Sequence, residues 1–305
     1  MALLGAATLA RAEPLDRQQV AAGAKWLVHV DVNAAAATKG AERLRTDVLN
    51  RDPAKRTLQK LREAIGMDPT QDLRSITLYG SRFDHHTGVV LVRGKLDQAR
   101  LLALVKVQLD HQVSSYGSHE LHTWAQGKTD KGGHRVTGCL CGPTLVVFGR
   151  DAAEVKAALD VLDGKSPSLA GSKSPLAEEV PAGTMLQVRA IDLGGAAIPF
   201  MSPVVRQSEL LALAVGEHEA VAFVRAKLVV KSAETANELR KVVDGFIAMA
   251  RLQAASDPDA ARILQEVKVD TSDRTVTVQW RAPAGELLKL MEKQWAKPTK
   301  PKPAD

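Results

Sequence analysis

Apolar and polar residues alternate in several short segments of this chain, most clearly over residues 26–32. His29 and Asp31 fill two polar positions there, and the apolar positions are Trp26, Val28, Val30 and Val32. A period of two predicts a β-strand with one face in the core and the other facing water. We therefore expect His29 and Asp31 to lie on the open face of a half-buried strand.

Further runs rich in β-branched residues, bounded by Gly, Pro, Asn or Asp, predict more strands. They cover residues 75–79, 89–95, 120–124, 134–141, 144–149, 185–191, 210–215, 220–230, 267–269 and 275–281. Hairpins and meanders predict mainly antiparallel pairing. In the last strand Thr275, Thr277 and Gln279 alternate with apolar residues, so we expect water to cover that face.

Apolar residues at helical spacing predict amphipathic helices between the strands. We expect these helices over residues 34–50, 53–65, 96–112, 152–162 and 233–255, and from Pro283 onward. Asp151 is the predicted N-cap of the fourth helix. In the fifth, the predicted buried stripe consists of Leu239, Val242, Val243, Phe246, Ile247, Met249 and Ala250.

The order of these elements predicts an α+β fold made of two similar units, each a mainly antiparallel sheet with helices packed on one face. Both units follow the order strand, helical insertion, hairpin, helix, meander, helix, which suggests an internal duplication. We expect a leader at residues 13–24, the first unit at 25–163, a linker at 164–182, the second unit at 183–296, and a disordered Lys/Pro tail at 297–305.

Residues 1–12 are a candidate signal peptide. An uncharged apolar run ends in Ala10, Arg11 and Ala12, which has the small-x-small form of a cleavage site, although the basic start of a secretory signal is missing. We therefore expect a periplasmic or secreted protein, the alternative being an Ala-rich helix of a cytoplasmic one. No later segment is apolar for long enough to cross a bilayer.

Composition narrows the class of protein without identifying it. Over 305 residues, 45% are hydrophobic and 25% charged, which is typical of a globular protein, and two cysteines exclude a disulfide framework. Residues 1–150 carry 21 basic and 14 acidic side chains, and residues 151–305 carry 20 and 21. The densest basic stretch, residues 43–62, contains no aromatic residue, which disfavours nucleic acid as a partner.

Histidines offer the first candidate chemistry, because five of the eight lie between residues 85 and 122. His119 and His122 are one residue closer together than the histidines of an H-E-x-x-H zinc motif, and on a strand they point to opposite faces. A metal site built from Asp84, His85, His86, His119 and His122 has no standard ligand spacing. We therefore assign no metal ligand here.

Two further pairs of residues share a strand face. His29 and Asp31 could act as a general base with its orienting carboxylate, or serve as polar decoration of an open sheet, and we favour the second interpretation. Cys139 and Cys141 are about 6.5 Å apart along an extended strand, at the outer limit for a disulfide. We expect two ordinary half-buried thiols, with a strained, reducible bridge as the alternative.

Segments 26–31, 76–80, 88–94 and 144–151 resemble strands of exported bacterial proteins of unknown function. In those proteins a strand ending in HVD opens the domain and a GVVLVRG strand pairs in its middle, and the resemblance covers chiefly residues 25–165. It implies an exported α+β protein with no assigned activity.

The motifs of phosphate loops, nucleophile elbows and dinucleotide-binding turns are all incomplete in this sequence. We therefore expect a non-catalytic exported protein that binds another macromolecule or a cell-envelope component through its sheet faces and its basic first unit. The alternative is a metal-dependent or hydrolytic enzyme centred on residues 85–122. The sequence assigns no catalytic, cofactor-binding or metal-binding residue and no cofactor, and it leaves the oligomeric state open.

Overall fold

The structure is a computed structural model that describes residues 12–44, 52, 54–84, 87–127, 133–195 and 208–295. Its strands are β1 (Trp26–Asp31), β2 (Leu73–Gly80), β3 (Val89–Gly94), β4 (Gln112–Tyr116), β5 (His119–Gln126), β6 (His134–Leu140), β7 (Leu145–Gly149), β8 (Thr184–Ile191), β9 (Leu210–His218), β10 (Val221–Val229), β11 (Lys268–Ser272) and β12 (Thr275–Pro283). Its helices are α1 (Val32–Ala36), α2 (Lys39–Leu44), α3 (Ala54–Ile65), α4 (Gln98–Lys106), α5 (Ala152–Leu162), α6 (Ala233–Gln253), α7 (Pro258–Gln265) and α8 (Ala284–Trp295).

All twelve described strands belong to one antiparallel sheet. Its order is β11-β12-β10-β9-β8-β1-β2-β3-β7-β6-β5-β4. The predicted α+β class with antiparallel pairing is confirmed. Because β1 pairs with β8 over Trp26 to Val30, the first strands of the two predicted units form the middle of a single sheet.

The segment predicted as a linker packs closely against this sheet. Leu169 and Leu176 are completely buried in the same hydrophobic cluster as Leu27. The backbone N–H of Leu169 donates to the Val20 carbonyl at 2.8 Å. Residues 13–24 and 164–182, which we call the covering segments, therefore lie together over one face of the sheet.

The prediction that His29 and Asp31 lie on an open face is wrong. Both are almost completely buried, whereas Trp26, Val28 and Val30 are half-buried. β1 is a central strand, and the covering segments close over its polar side. We call the side of the sheet that carries Leu27, His29 and Asp31 the Leu27 face, and the opposite side the Trp26 face.

Helices pack on both faces of the shared sheet. Val155 and Leu159 of α5 join the cluster on the Leu27 face. Ala236 and Leu239 of α6 instead pack against Leu228 and its neighbours, and the strand register places Leu228 on the Trp26 face. The two ends of the sheet are thus covered from opposite sides.

Part of the stripe predicted to be buried on α6 faces solvent. Leu239 is buried, but Val242, Phe246 and Met249 are exposed, Phe246 to 65%. The helix meets the sheet near its N-terminal end, where its contacts with β11 and β12 lie. Helical periodicity shows that a helix has an apolar side; it does not show how much of that side a neighbouring element covers.

Two local predictions are corrected by the backbone. The helix predicted over residues 96–112 covers only Gln98–Lys106, and Gln112 begins β4, an edge strand that the pattern did not reveal. The turn predicted over residues 216–219 is instead the pair Glu219 and Ala220, both with positive φ. Gly216 lies within β9, where an added Cβ would be 2.5 Å from the Phe223 ring.

Several predictions fall outside the described residues, namely most of the candidate signal peptide, the Lys/Pro tail, and His85 and His86. Among the described helices, none combines the length and the apolar character needed to cross a bilayer.

Candidate functional site

His29 and Asp31 share a face, as predicted, but each is committed to structural partners. His29 Nε2 lies 3.0 Å from the Glu13 carbonyl, which can only accept, so Nε2 carries the proton and Nδ1, 2.8 Å from the Thr77 hydroxyl, accepts. Asp31 accepts from the backbone N–H groups of Glu13 and Ala34, each at 2.8 Å. These bonds fix the first covering segment and cap α1.

Burial sets the protonation of this pair. It lowers the pKa of His29 from 6.5 and raises the pKa of Asp31 from 3.8, since a charge away from water is costly. His29 is therefore neutral at pH 7. The pair fixes the packing of the covering segments and has no open side on which a substrate could approach.

His119 and His122 lie on opposite faces of β5, as a strand requires. On the Trp26 face, His122 stacks on His111 with ring centroids 5.3 Å apart. Its Nε2 is 3.1 Å from the Glu120 carboxylate. Burial is the main cause that lowers the pKa of His122. These three residues lie side by side at the end of the sheet formed by β4 and β5.

On the Leu27 face, His119 meets the two cysteines. Cys139 and Cys141 are free thiols with sulphurs 3.1 Å apart. One donor atom from each of His119, Cys139 and Cys141 lies within 4.8 Å of the other two. The antiparallel register pairs Leu121 of β5 with Cys139 of β6. Extended by two residues, the same register places His119 beside Cys141.

A carboxylate holds His119 from behind. Asp163, the C-cap of α5, accepts from His119 Nε2 at 2.9 Å through one oxygen and from Lys165 at 2.8 Å through the other. The hydrogen bonds from Lys165 and His119 lower the pKa of Asp163, so it is ionised at neutral pH. A carboxylate can only accept, so Nε2 of His119 carries the proton of this hydrogen bond.

A hydrogen bond between the two thiols shifts their pKa values in opposite directions. The thiol of Cys141 donates to the sulphur of Cys139. This hydrogen bond lowers the pKa of Cys139 to about 7 and raises the pKa of Cys141. Cys139 therefore has thiolate character near neutral pH, which the interpretation as ordinary half-buried thiols did not include.

A separate cleft opens on the Trp26 face of the first unit. Its volume is about 440 Å³, which is within the size range of small-molecule sites. Leu78, Val90 and Phe148 belong to adjacent positions of β2, β3 and β7 and line it together with Trp26 and Trp124. Two of the four tryptophans of this aromatic-poor chain thus line one cleft. We call it the aromatic cleft.

Glycines in the sheet make room for the tryptophan rings. An added Cβ would lie 2.8 Å from the Trp26 ring at Gly80 and 2.9 Å from it at Gly88. The Trp26 indole donates to the Arg82 carbonyl at 2.8 Å, which fixes its orientation. At Gly138 an added Cβ would be 3.4 Å from the Trp124 ring. Both rings thus lie against backbone that has no side chain.

The rim of the aromatic cleft is polar. Asp84, Thr87, Gln126 and Arg150 line it. Of the neighbouring candidates Asp84, His85 and His86, the structure describes Asp84, and it places this residue at the cleft and away from His119. An apolar floor with a few polar groups at its edge is the common composition of ligand-binding sites.

The sequence identified the members of the sulphur–imidazole cluster but did not bring them together. Cys139 and Cys141 were paired with each other, and His119 with His122. The sequence does not show the β5–β6 register, which pairs residues 121–126 with residues 134–139. For the aromatic cleft the sequence carries a weaker signal. β1 and β5 each contain a tryptophan, and glycines occupy the positions on neighbouring strands that face the two rings.

Comparisons with known proteins give a similarity of chain path. No family model and no curated protein matches the sequence. Crystal form III of TP0453 covers 92% of this chain and 99% of its own, with a TM-score of 0.49 and 10% identity. For crystal form IV the values are 92%, 97%, 0.45 and 10%, and for crystal form I they are 93%, 98%, 0.44 and 9%.

Proposed function

We propose that this chain is a non-catalytic, extracytoplasmic binding protein whose ligand site is the aromatic cleft. The observation that carries the proposal is the cleft itself, about 440 Å³ of space floored by Trp26, Trp124 and Phe148. In a chain with 4% aromatic residues, large apolar rings that stay half-exposed in a ready-made concavity favour a ligand there.

The lining indicates the class of ligand. Apolar rings and the side chains of Leu78 and Val90 form the floor, so the body of the ligand is apolar. Arg150 and Asp84 lie at the rim, where a polar end of the ligand would remain in water. We therefore propose that the ligand is a compact amphiphile, such as an apolar anion or part of a cell-envelope component.

Fluorescence of 1-anilinonaphthalene-8-sulfonate, an apolar anion, tests the cleft. We expect saturable binding that weakens about tenfold, or ~1.4 kcal/mol, in Trp26→Leu and Trp124→Leu. Trp280→Phe is the matched control, because Trp280 donates to the Ile263 carbonyl in the other half of the sheet. Equal binding by all three variants and the parent, with cooperative unfolding retained, would contradict the proposal.

The compartment is tested separately by cell fractionation and the intact mass of the mature chain. Loss of residues 1–12 with recovery outside the cytoplasm supports export. Full-length protein in the cytosol contradicts it and leaves the cleft experiment unaffected.

A further inference from the structure

We propose that Cys139, Cys141 and His119 form a binding site for Zn²⁺ on the Leu27 face. The site goes beyond the proposed function and lies on the opposite side of the sheet from the aromatic cleft: Cys139 pairs with Val147 and Gly138 with Phe148, and these adjacent pairs point to opposite faces. The two proposals can therefore fail independently.

The donor set has the right chemistry. Two cysteine sulphurs and one imidazole are the soft and borderline ligands that Zn²⁺ prefers, whereas Ca²⁺ and Mg²⁺ require oxygen. Three protein ligands leave the fourth tetrahedral position for water or another small ligand. His119 and Cys141 are only half-buried, which gives a cation access from solvent.

The distances require only a small adjustment. The three donor atoms lie within 4.8 Å of one another. In a tetrahedral site with Zn–S bonds of about 2.3 Å, the sulphurs are about 3.8 Å apart, compared with 3.1 Å here. Cys141 follows the last residue of β6, so rotation of its side chain can supply the difference.

The surroundings already hold the histidine for this role. Asp163 accepts from His119 Nε2 at 2.9 Å, which directs Nδ1 to the metal. A carboxylate behind a ligating histidine is the usual arrangement that orients the ring and increases its basicity. Lys165 holds the other oxygen of Asp163 at 2.8 Å. A bound ion would thus join β5, β6 and the end of α5.

The buried side of the site is rigid and apolar. Cys139 belongs to the same cluster as Leu121, Val147 and Leu159. These side chains fix the Cys139 sulphur and keep water from one side of the site. A preorganised set of donors against an apolar wall loses little conformational entropy on binding an ion.

Titration of the reduced full-length chain with Co²⁺ under anaerobic conditions tests the site. We expect one equivalent to produce a thiolate-to-cobalt charge-transfer band in the near ultraviolet and the visible bands of a tetrahedral complex. One equivalent of Zn²⁺ should then displace the cobalt. Zn²⁺ should also raise the thermal unfolding midpoint, because it binds the folded chain preferentially.

Variants locate the ion. Cys141→Ser and His119→Ala should abolish the charge-transfer band or weaken Zn²⁺ at least 100-fold, and Asp163→Asn should weaken it about 10- to 100-fold. His111→Ala is the matched control and should bind like the parent, since His111 stacks on His122 on the other face. Circular dichroism and metal-free unfolding show that each variant is folded. Because Cys141 and His119 are half-buried, they are safer to replace than buried Cys139.

Three outcomes would overturn the proposal. The reduced chain could produce no charge-transfer band, or Cys141→Ser and His119→Ala could bind Zn²⁺ within twofold of the parent. The third is a Cys139–Cys141 disulfide, seen by mass after alkylation, that forms equally fast with and without Zn²⁺. Anilinonaphthalene binding should be unchanged in these variants, which separates this test from that of the aromatic cleft.

Discussion

At the scale of single residues, burial gives polar groups different roles from those their positions in the sequence indicate. His29 was expected at an open sheet face and is instead a neutral, fully bonded group beneath the first covering segment. His119 was assigned no metal-binding role from its spacing to His122, and in the structure it faces two sulphurs. The same residue type is structural at one site and a candidate ligand at the other because its neighbours differ.

The buried His29 predicts a loss of stability in acid. Burial lowers its folded-state pKa below the unfolded value of 6.5, so the unfolded chain binds more protons as the pH falls through that value. The free energy of unfolding should therefore decrease from about pH 7.5 to about pH 5.5. Urea denaturation across this range measures it.

His29→Gln should show a shallower decrease than the parent over the same range, with the remainder coming from groups such as His122, whose pKa is also lowered. The control is His218→Gln, since the His218 side chain is 57% exposed. A pH dependence that is identical in parent and His29→Gln chains would contradict the assignment.

At the scale of elements, the turn between β9 and β10 is a feature that periodicity along the chain did not locate correctly. The β9–β10 hairpin closes through Glu219 and Ala220, with φ of 50° and 61°. Positive φ at both positions is the type I′ geometry that fits the twist of a two-residue hairpin. This conformation is unfavourable for residues that carry a Cβ. The pairing of β9 with β10 therefore imposes a turn that Glu219 and Ala220 do not favour by themselves.

Ala220→Gly should therefore stabilise the protein by about 1 kcal/mol, because glycine adopts positive φ without steric cost. Ala220 is exposed at the tip of the hairpin, so no packing contact is lost. Ala103→Gly, at an exposed position of α4, is the control and should destabilise by about 1 kcal/mol. Chemical denaturation measures both, and destabilisation by Ala220→Gly would refute the turn assignment.

At the scale of the whole molecule, one sheet joins the two halves. Outward from the central β1–β8 pair, the strand order is β1, β2, β3, β7, β6 on one side and β8, β9, β10, β12, β11 on the other. In each half, three consecutive strands are followed by the last strand of that half. We propose the predicted internal duplication as the explanation of this order. β4 and β5 extend only the first half. Residues 164–182, which connect the two halves, pack through Leu169 and Leu176 into the hydrophobic cluster that contains Leu27.

Leu169→Ala should consequently destabilise the protein by about 2–5 kcal/mol, as expected for a core leucine that leaves a cavity. Its side chain is 0% exposed, although the sequence around it has the composition of a linker. Leu252→Ala, at a position 77% exposed, should change stability by less than about 0.5 kcal/mol. Equal effects of the two substitutions would show that residues 164–182 are not part of the core.

The amino-acid sequence by itself determined the class of fold and most of the elements, but not β4 or the end of α4. Alternation in segments such as 26–31 and 275–281, and acidic caps such as Asp151, depend on neighbours along the chain, so the pattern reports them directly. Periodicity also placed Cys139 and Cys141 on one face, and His119 and His122 on opposite faces.

Tertiary structure alone decided which face of the sheet is covered, which strands are neighbours and which side chains meet. These facts depend on contacts between residues far apart in the chain. The covering segments bury His29, the β5–β6 register brings His119 to the two cysteines, and the pairing of β2, β3 and β7 forms the floor of the aromatic cleft. Local propensity has no access to such contacts, because their free energy arises only when the whole sheet is assembled.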